Sequence, residues 1–418
     1  MTKKRKTLRA FSALALALVL CLGIMSTAFA APGPITGGTE TTPAQAVITK
    51  VLQMPDGTVT PAETFTFAFA KKEVDGDSST TAQGTMPAIT GKTVTFAATD
   101  TGTATAGIKT VSKETASLFA GVTWPHAGVY TYTVTESAGT TAGMTYSLAS
   151  YDISVYVANG STSGSLYVEA IGTTIVKTDT GTAGSGKTDP TTSTTVGASS
   201  AMRFTNTYIE TPATVNPATD DMLSISKTVA GTYGDQTKYF PFSVTLNKAA
   251  LVSGTPAYKV YVMNASNAVV TSTDNYATLQ PADTYGVYIN VTAGTPITIN
   301  LKHGQWLSFV GLPIGTTYSV TEAAAADYTP SVSVVVNGGT PTVTNGTVNT
   351  ALSVGTPTAV IIGANANSAA YTNTYKTVTP TGIDLNNLPF IMMLVIAAGA
   401  FVAFAAVKSR KRVHSSNQ

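Results

Sequence analysis

Two copies of a lysine, glutamate and asparagine set are the residues of this 418-residue chain that could do chemistry. In the first half of the chain the set is Lys50, Glu136 and Asn206. The same residue types recur in the same order in the second half, as Lys227, Glu322 and Asn373. Each residue lies in an alternating run, where it shares a strand face with apolar or aromatic neighbours. Each set is therefore expected to bury an amine, a carboxyl group and an amide together.

The chemistry that such a set could perform is the joining of two side chains. Burying a lysine and a carboxylate among aromatic rings is costly unless the charges are paired or neutralised. Desolvation lowers the pKa of the lysine and raises that of the glutamate. A neutral amine is a nucleophile, and a protonated carboxyl group can polarise the amide of asparagine, so that ammonia leaves. The predicted product is a Lys–Asn isopeptide bond. The alternatives are a polar cluster that never reacts and residues exposed at a sheet edge.

Alternating runs predict the strands that must position these residues. The lysine lies on the first strand of its unit, at 46–52 and at 223–229. The glutamate ends a strand of the form Tyr-x-Val-Thr-Glu, and the asparagine lies in a closing pentapeptide, FTNTY or YTNTY. Other strands are predicted at 65–69, 130–136, 151–157, 166–176, 204–208, 240–246, 306–309, 315–322 and 371–375. A short helical turn is predicted at 111–118.

The repeat of these elements predicts an all-β protein with two tandem, immunoglobulin-like β-sandwich domains. Only 11% of the residues are charged and the net charge is +2, which does not suggest nucleic-acid binding. A lead-in without periodicity occupies 31–43, and a long surface loop is expected at 178–200. Two domains are predicted, an isopeptide-linkage domain at 44–208 and a second isopeptide domain at 220–375, joined by a linker at 209–219. A signal peptide is predicted before them, at 1–30. After them we predict a sorting-signal segment at 376–387, a transmembrane helix at 388–407 and a cytoplasmic basic tail at 408–418.

The N-terminal residues predict export. A basic segment precedes an apolar run at 11–25, and small residues follow at Ala28 and Ala30. This order is typical of a secretory signal peptide, here cleaved between Ala30 and Ala31. Cys21, the only cysteine, lies inside the apolar run. The exported chain therefore has no disulfide, and something else must stabilise it outside the cell.

The C-terminal residues predict anchoring. The apolar run at 388–407 is long enough to span a bilayer, and the basic residues after it favour a cytoplasmic end. Just upstream stand Thr379, Pro380, Thr381 and Gly382. This arrangement resembles Gram-positive cell-wall sorting signals, in a Pro-Thr-Gly variant of the common Leu-Pro-x-Thr-Gly form. The resemblance implies that a sortase cleaves after Thr381 and joins it to an amine of peptidoglycan or of a neighbouring pilin subunit. The alternative is a plain membrane anchor.

The first unit resembles the streptococcal pilin isopeptide-linkage domain of Firmicutes surface proteins. The resemblance rests on the first-strand lysine, the Tyr-x-Tyr-x-Val-x-Glu strand and the Phe-x-Asn-x-Tyr strand. In that family the lysine and asparagine become joined and the glutamate assists. The resemblance therefore implies a bond between Lys50 and Asn206, assisted by Glu136.

The second unit is similar to the Cna-B-like modules that often follow such a domain. The likeness implies a bond between Lys227 and Asn373, assisted by Glu322. The unit departs from the pattern at Thr316, which stands where the first tyrosine of the glutamate strand is found in the first unit. Together the two resemblances cover nearly the whole exported region and imply a Cna-B-like β-sandwich fold.

Three classes of function are open. The first is a structural surface protein, either a pilus subunit or a wall-anchored stalk. The second is a wall-anchored adhesin whose loops bind an unidentified host or extracellular ligand. The third is a secreted enzyme, for which the chain offers no constellation: His126, His303 and His414 stand apart, without metal-ligand spacing. No cofactor, metal or nucleic acid is expected, and the only predicted catalysis is formation of the two bonds.

Polymerisation into a pilus would need one more residue. A backbone pilin carries an exposed lysine that accepts the threonine of the next subunit, and in the pilin family that lysine often precedes the last strand. No lysine stands just before Phe204; Lys177 and Lys187 are the nearest. Lys187 is the candidate acceptor, because it lies in the expected loop. A single wall-anchored protein, or a basal or tip pilus subunit, is the alternative.

Overall fold

The computed structural model describes residues 35–188, 202–212, 216–220, 222–376 and 388–414. Strands dominate the described residues before 377, so the predicted all-β class is confirmed. Their sequences are rich in β-branched and aromatic residues with alternating burial, which suits a pleated backbone that sends successive side chains to opposite faces.

The first unit consists of two sheets that enclose one core. Its strands are β1 (Thr49–Pro55), β2 (Glu63–Val74), β3 (Thr93–Phe96), β4 (Thr103–Thr105), β5 (Ile108–Glu114), β6 (Gly128–Glu136), β7 (Met144–Thr145), β8 (Ser150–Asn159), β9 (Leu166–Lys177), β10 (Lys187–Thr188) and β11 (Arg203–Tyr208), with a short helix α1 (Thr80–Thr85) after β2. The spatial orders are β4-β5-β1-β11-β7 and β10-β9-β8-β6-β2-β3. The core includes Phe65, Tyr132 and Phe204. The first and last strands, β1 and β11, are parallel neighbours.

The second unit repeats this plan. Its strands are β12 (Leu223–Ala230), β13 (Phe240–Asn247), β14 (Ala257–Met263), β15 (Ile289–Thr292), β16 (Ile297–Leu301), β17 (Trp306–Val310), β18 (Thr317–Glu322), β19 (Tyr328–Val335), β20 (Thr342–Asn345), β21 (Leu352–Val354), β22 (Val360–Ile361) and β23 (Ser368–Tyr375). One sheet has the order β15-β14-β17-β12-β23-β19-β20, and the other has β16-β13-β18-β21, with β22 beside β18. The first and last strands, β12 and β23, are again parallel neighbours.

The segment 111–118 differs from the sequence prediction. The helical turn predicted at 111–118 is wrong, because β5 occupies its first half and pairs antiparallel with β1, and the residues at 115–118 are not helical. The ladder with β1 satisfies its backbone groups, and this tertiary pairing outweighs local propensity. The described part of the lead-in lies beside β9: Ile35 and Ile171 exchange backbone hydrogen bonds, and Gly38 donates to Glu169.

The last described residues form the helix α2 (Leu388–His414). No helix in the part of the chain that the structure describes is both long enough and apolar enough to cross a membrane. The predicted signal cleavage site at Ala30 and Ala31 lies outside the described residues, as does the predicted sorting motif at 379–382.

Candidate functional site

The lysine and the asparagine of the first set lie on the neighbouring parallel strands β1 and β11. Lys50 is opposite Phe204, and Leu52 is opposite Asn206. The asparagine is therefore two residues beyond the partner of the lysine. An even offset keeps both side chains on the same face of the sheet, and here that face is the buried one.

The second set has the same offset on β12 and β23. Lys227 is opposite Tyr371, and Val229 is opposite Asn373. The register of the first strand against the last is thus identical in the two units, although most of the sequence between those strands differs.

The glutamate of each set comes from the facing sheet. Glu136 is the last residue of β6 and lies opposite Phe67 of β2. Glu322 is the last residue of β18 and lies opposite Phe242 of β13. Each carboxyl group enters the space between the sheets, where it meets the lysine and asparagine of the other layer.

In the first unit one carboxyl group bridges the two residues that are predicted to react. Lys50 Nζ donates to Glu136 Oε2 at 2.7 Å, and Asn206 Nδ2 donates to Glu136 Oε1 at 2.6 Å. The side chains of Lys50 and Glu136 are 0% exposed, and Asn206 is equally buried. Nζ also lies 4.5 Å from the centre of the Phe65 ring, whose face attracts a cation.

In the second unit a single carboxylate oxygen makes both contacts. Glu322 Oε1 accepts from Lys227 Nζ at 2.5 Å and from Asn373 Nδ2 at 2.8 Å. The other oxygen, Oε2, is buried and has no hydrogen-bond partner among the described residues. The Phe240 ring lies 4.1 Å from Nζ, in the place that Phe65 takes in the first unit.

Burial governs the protonation of both pairs. Desolvation lowers the pKa of Lys50 and that of Lys227 to about 8, although the neighbouring carboxylate opposes the shift. Desolvation also raises the pKa of Glu136 and that of Glu322, against the pull of the ammonium group. Both shifts favour a neutral amine beside a protonated acid, which is the pair that attack on an amide requires.

Ser147 and Asp179 lie beside the first set and were not predicted from the sequence. The backbone N–H of Ser147 donates to Asn206 Oδ1 at 2.7 Å. The Asp179 carboxylate accepts from the Ser147 hydroxyl at 2.5 Å and from the Thr205 backbone N–H at 2.8 Å. Neither residue lies in a run that alternates clearly enough to place it inside. The sequence offered one kind of signal for Asp179: it is an acidic residue in the mostly uncharged stretch 178–200.

No hydrogen bond joins a described histidine to the lysine, glutamate or asparagine side chains of the two sets. His303 Nδ1 accepts from the Val229 backbone N–H at 3.0 Å, and His126 Nδ1 lies 2.9 Å from the Ala127 carbonyl oxygen. Within the described residues, no group of three or more histidine, cysteine, aspartate or glutamate side chains could hold a metal ion.

Two family models match the chain. Residues 46–209 match the family described as "Spy0128-like isopeptide containing domain". Residues 221–375 match the family described as "Domain of unknown function (DUF7601)". The likeness of the second unit to Cna-B-like modules stays a prediction.

Three similar proteins come from Streptococcus pyogenes. A stretch of 112 residues is 35% identical to "Pilus tip adhesin Cpa" and covers 26% of this chain but only 12% of that protein. Among solved structures, the chain is similar to the major pilin at 20% identity, over 82% of this chain and 100% of that one, with a TM-score of 0.33. A second major pilin, T-13, is also 20% identical over the same shares, with a TM-score of 0.30.

Proposed function

We propose that this chain is a structural protein of the cell surface, of the pilin type, whose two units are each locked by an intramolecular isopeptide bond. The match of residues 46–209 to the Spy0128-like isopeptide family and the similarity to a pilus tip adhesin support this proposal. The bonds would join Lys50 to Asn206 and Lys227 to Asn373. One observation carries the proposal: in both units a buried carboxyl group contacts the lysine amine and the asparagine amide together.

The reaction needs only the three side chains of each set. Lysine Nζ attacks asparagine Cγ, the Nζ–Cγ bond forms, the Cγ–Nδ2 bond breaks, and the released nitrogen leaves as ammonia. One hydrogen of the neutral amine stays on the new amide. The other passes through the glutamate to the leaving nitrogen, because the carboxyl group already touches both atoms.

The product would suit a protein that is pulled from its ends. The bond ties the first strand of a unit to the last, so a force applied at the two ends is carried by a covalent bond instead of by the ladder of β1 with β11 or of β12 with β23. It also supplies the covalent stabilisation that a cysteine-free exported chain otherwise lacks.

Intact mass tests this proposal. The segment 31–376, produced without any partner protein, should be lighter than its sequence predicts by two ammonias, because each unit carries its own nucleophile, electrophile and acid. Tandem mass spectrometry of a proteolytic digest should recover one peptide pair joined through Lys50 and Asn206 and another joined through Lys227 and Asn373. An unmodified mass for the folded protein would refute both bonds and leave two sandwiches with buried ion pairs.

The rate of bond formation should depend on pH in a bell-shaped manner. The reactive pair carries one proton, on the carboxyl group, beside a neutral amine. Below the raised pKa of the glutamate the lysine also stays protonated, so the nucleophile is lost; above the lysine pKa of about 8 the shared proton is lost, so the leaving nitrogen has no acid. Chain synthesised in vitro, quenched in urea and diluted into buffers between pH 4 and 10 can be followed by mass. A rate that keeps rising beyond pH 9 would contradict this account.

We also propose that a sortase anchors the protein through the segment 379–382, after export directed by the signal peptide. Support for this step comes from the sequence alone: a Pro-Thr-Gly motif, an apolar run and a basic tail. Wall digestion decides between the two kinds of anchor. Release by muramidase supports covalent attachment at Thr381, whereas release only by detergent supports a plain membrane anchor.

A pilus backbone is the first further possibility, and Lys187 is its candidate acceptor. Lys187 is exposed on the edge strand β10. It lines a groove whose walls include Thr36 of the lead-in and Tyr156 of β8. An extended C-terminal segment of another subunit could lie in such a groove beside the amine.

Wall extracts test the acceptor. A polymerising protein should give a ladder of high-mass bands in an immunoblot, and Lys187→Ala should abolish the ladder while leaving the monomer band. Lys177→Ala is the matched control and should keep the ladder. A single band in the wild type would exclude the backbone role and leave a wall-anchored stalk or a basal or tip subunit.

The adhesin alternative rests on the similarity to a pilus tip adhesin. That similarity covers only 12% of the adhesin, so ligand binding by this chain is a proposal without an identified ligand. Binding of labelled, cross-linked protein to host matrix components would favour it, if the wild type also shows no polymer ladder.

A further inference from the structure

The two asparagine carbonyl oxygens have different surroundings. Asn206 Oδ1 accepts a hydrogen bond of 2.7 Å from the Ser147 backbone N–H. Asn373 Oδ1 is buried, and no described group donates to it. The strand register is the same in the two units, and each glutamate contacts its lysine and asparagine, through two oxygens in Glu136 and through one in Glu322. A backbone donor therefore polarises the carbonyl of the amide that is to be attacked in the first unit, and no described group does so in the second.

The backbone next to each closing strand explains this difference. In the first unit β11 lies between β1 and β7, and β7 stops at Thr145. The chain then leaves the ladder, and the N–H of the buried Ser147 turns to the asparagine side chain. In the second unit β23 lies between β12 and β19, and the pairing of β19 with β23 continues without a break past Asn373. The residue opposite Asn373 there is Pro330, which has no N–H.

Asp179 holds the N–H of Ser147 in place. Its Oδ1 accepts from the Ser147 hydroxyl and from the backbone N–H of Thr205, the residue before the asparagine. The Ser147 hydroxyl oxygen in turn accepts from the Ala149 backbone N–H at 3.1 Å. One carboxylate thus ties the segment that donates the hydrogen bond to the strand that carries the reacting amide.

We propose that the Ser147 backbone N–H is an oxyanion donor for bond formation in the first unit, that Asp179 is its positioning residue, and that the second unit reacts without such a donor. The inference rests on the proposed isopeptide function. When Lys50 Nζ attacks Cγ of Asn206, the amide carbonyl becomes a tetrahedral centre and Oδ1 gains negative charge. A donor fixed at 2.7 Å in the buried interior stabilises that charge without reorganisation.

The expected consequence is an order of events within one molecule. Removing one oxyanion donor from an enzyme slows its reaction by about 10²–10³-fold. The Lys50–Asn206 bond should therefore form well before the Lys227–Asn373 bond, by roughly this factor if the two units fold equally fast. The full-length chain provides its own comparison, because both reactions take place in the same tube.

Timed mass spectrometry tests the order. The full-length chain, synthesised in vitro and quenched in urea, is diluted into folding buffer, and samples are digested at intervals to quantify each cross-linked peptide. Hydrogen exchange on the same samples reports when each unit folds. The inference is supported if the first unit loses its ammonia before the second unit does. The inference is overturned, and the isopeptide function kept, if the two bonds form at equal rates after both units have folded, or if the second bond forms faster. If neither unit loses ammonia, the isopeptide function itself is overturned.

Variants separate positioning from simple stability. Asp179→Ala removes the acceptor and should slow the first bond by at least tenfold, whereas Asp179→Asn keeps an acceptor oxygen and should restore most of the rate. Ser147→Pro removes the donor itself and should slow the first bond by about 10²-fold. The second bond is the internal control in each variant. If Asp179→Ala folds and forms the first bond at the wild-type rate, Asp179 has no positioning role.

Discussion

Glu136→Gln is expected to stop bond formation in the first unit and to leave the second unit unchanged. Glutamine has nearly the shape of glutamate and can still contact Lys50 and Asn206, but it cannot carry a proton from the amine to the leaving nitrogen. General acid–base catalysis contributes about 10²–10⁴-fold, so the variant should remain one ammonia heavier than the wild type over hours. Intact mass after overnight folding measures this.

The second unit supplies the reciprocal experiment. Glu322→Gln should restore one ammonia in the second unit only, because the two sets lie in separate hydrophobic cores. Glu169→Ala, which removes an exposed carboxylate of β9, is the matched control and should lose both ammonias. A complete first bond in Glu136→Gln would mean that the carboxyl group only holds the lysine in place and does not transfer the proton.

Asn206→Ala is expected to lower stability by the loss of the cross-link alone, because it unpairs no buried charge. In this variant Lys50 stays unreacted and can pair with Glu136, whereas a substitution of Lys50 or Glu136 would leave its partner buried alone. The bond closes a loop of more than 100 residues. The chain-entropy relation derived for disulfides gives about 5 kcal/mol for a loop of that size. Denaturant unfolding followed by hydrogen exchange should show this loss in the first unit alone.

Matched variants make the stability result specific. Asn159→Ala changes an exposed asparagine of β8 and should leave stability within about 0.5 kcal/mol of the wild type. Asn373→Ala should transfer the loss to the second unit and make it the protease-sensitive one. If Asn206→Ala lowers stability by no more than an ordinary hydrogen-bond deletion, about 1 kcal/mol, the wild type cannot contain the cross-link.

Much of the fold could be predicted from the alternation of residues. In the strands that contain Phe65 and Asn206, buried residues alternate with more exposed ones, and a period of two is the pattern of a strand with one face in a core. The segment 111–118 was mispredicted because its local sequence permits either structure. Pairing with β1, which is distant in sequence, selects the strand.

The sequence by itself determined which side chains could react, because lysine, glutamate and asparagine types recur in order on strands that must bury one face. It could not determine their distances, since the offset between β1 and β11 depends on how strands far apart in the chain align. Nor could it indicate that the Ser147 backbone N–H donates to the first asparagine and that Asp179 binds the Ser147 hydroxyl, while Pro330 is opposite the second asparagine. Those contacts come from a strand that ends early in one unit and continues in the other, and only packing of the complete sandwich sets where a strand leaves its ladder.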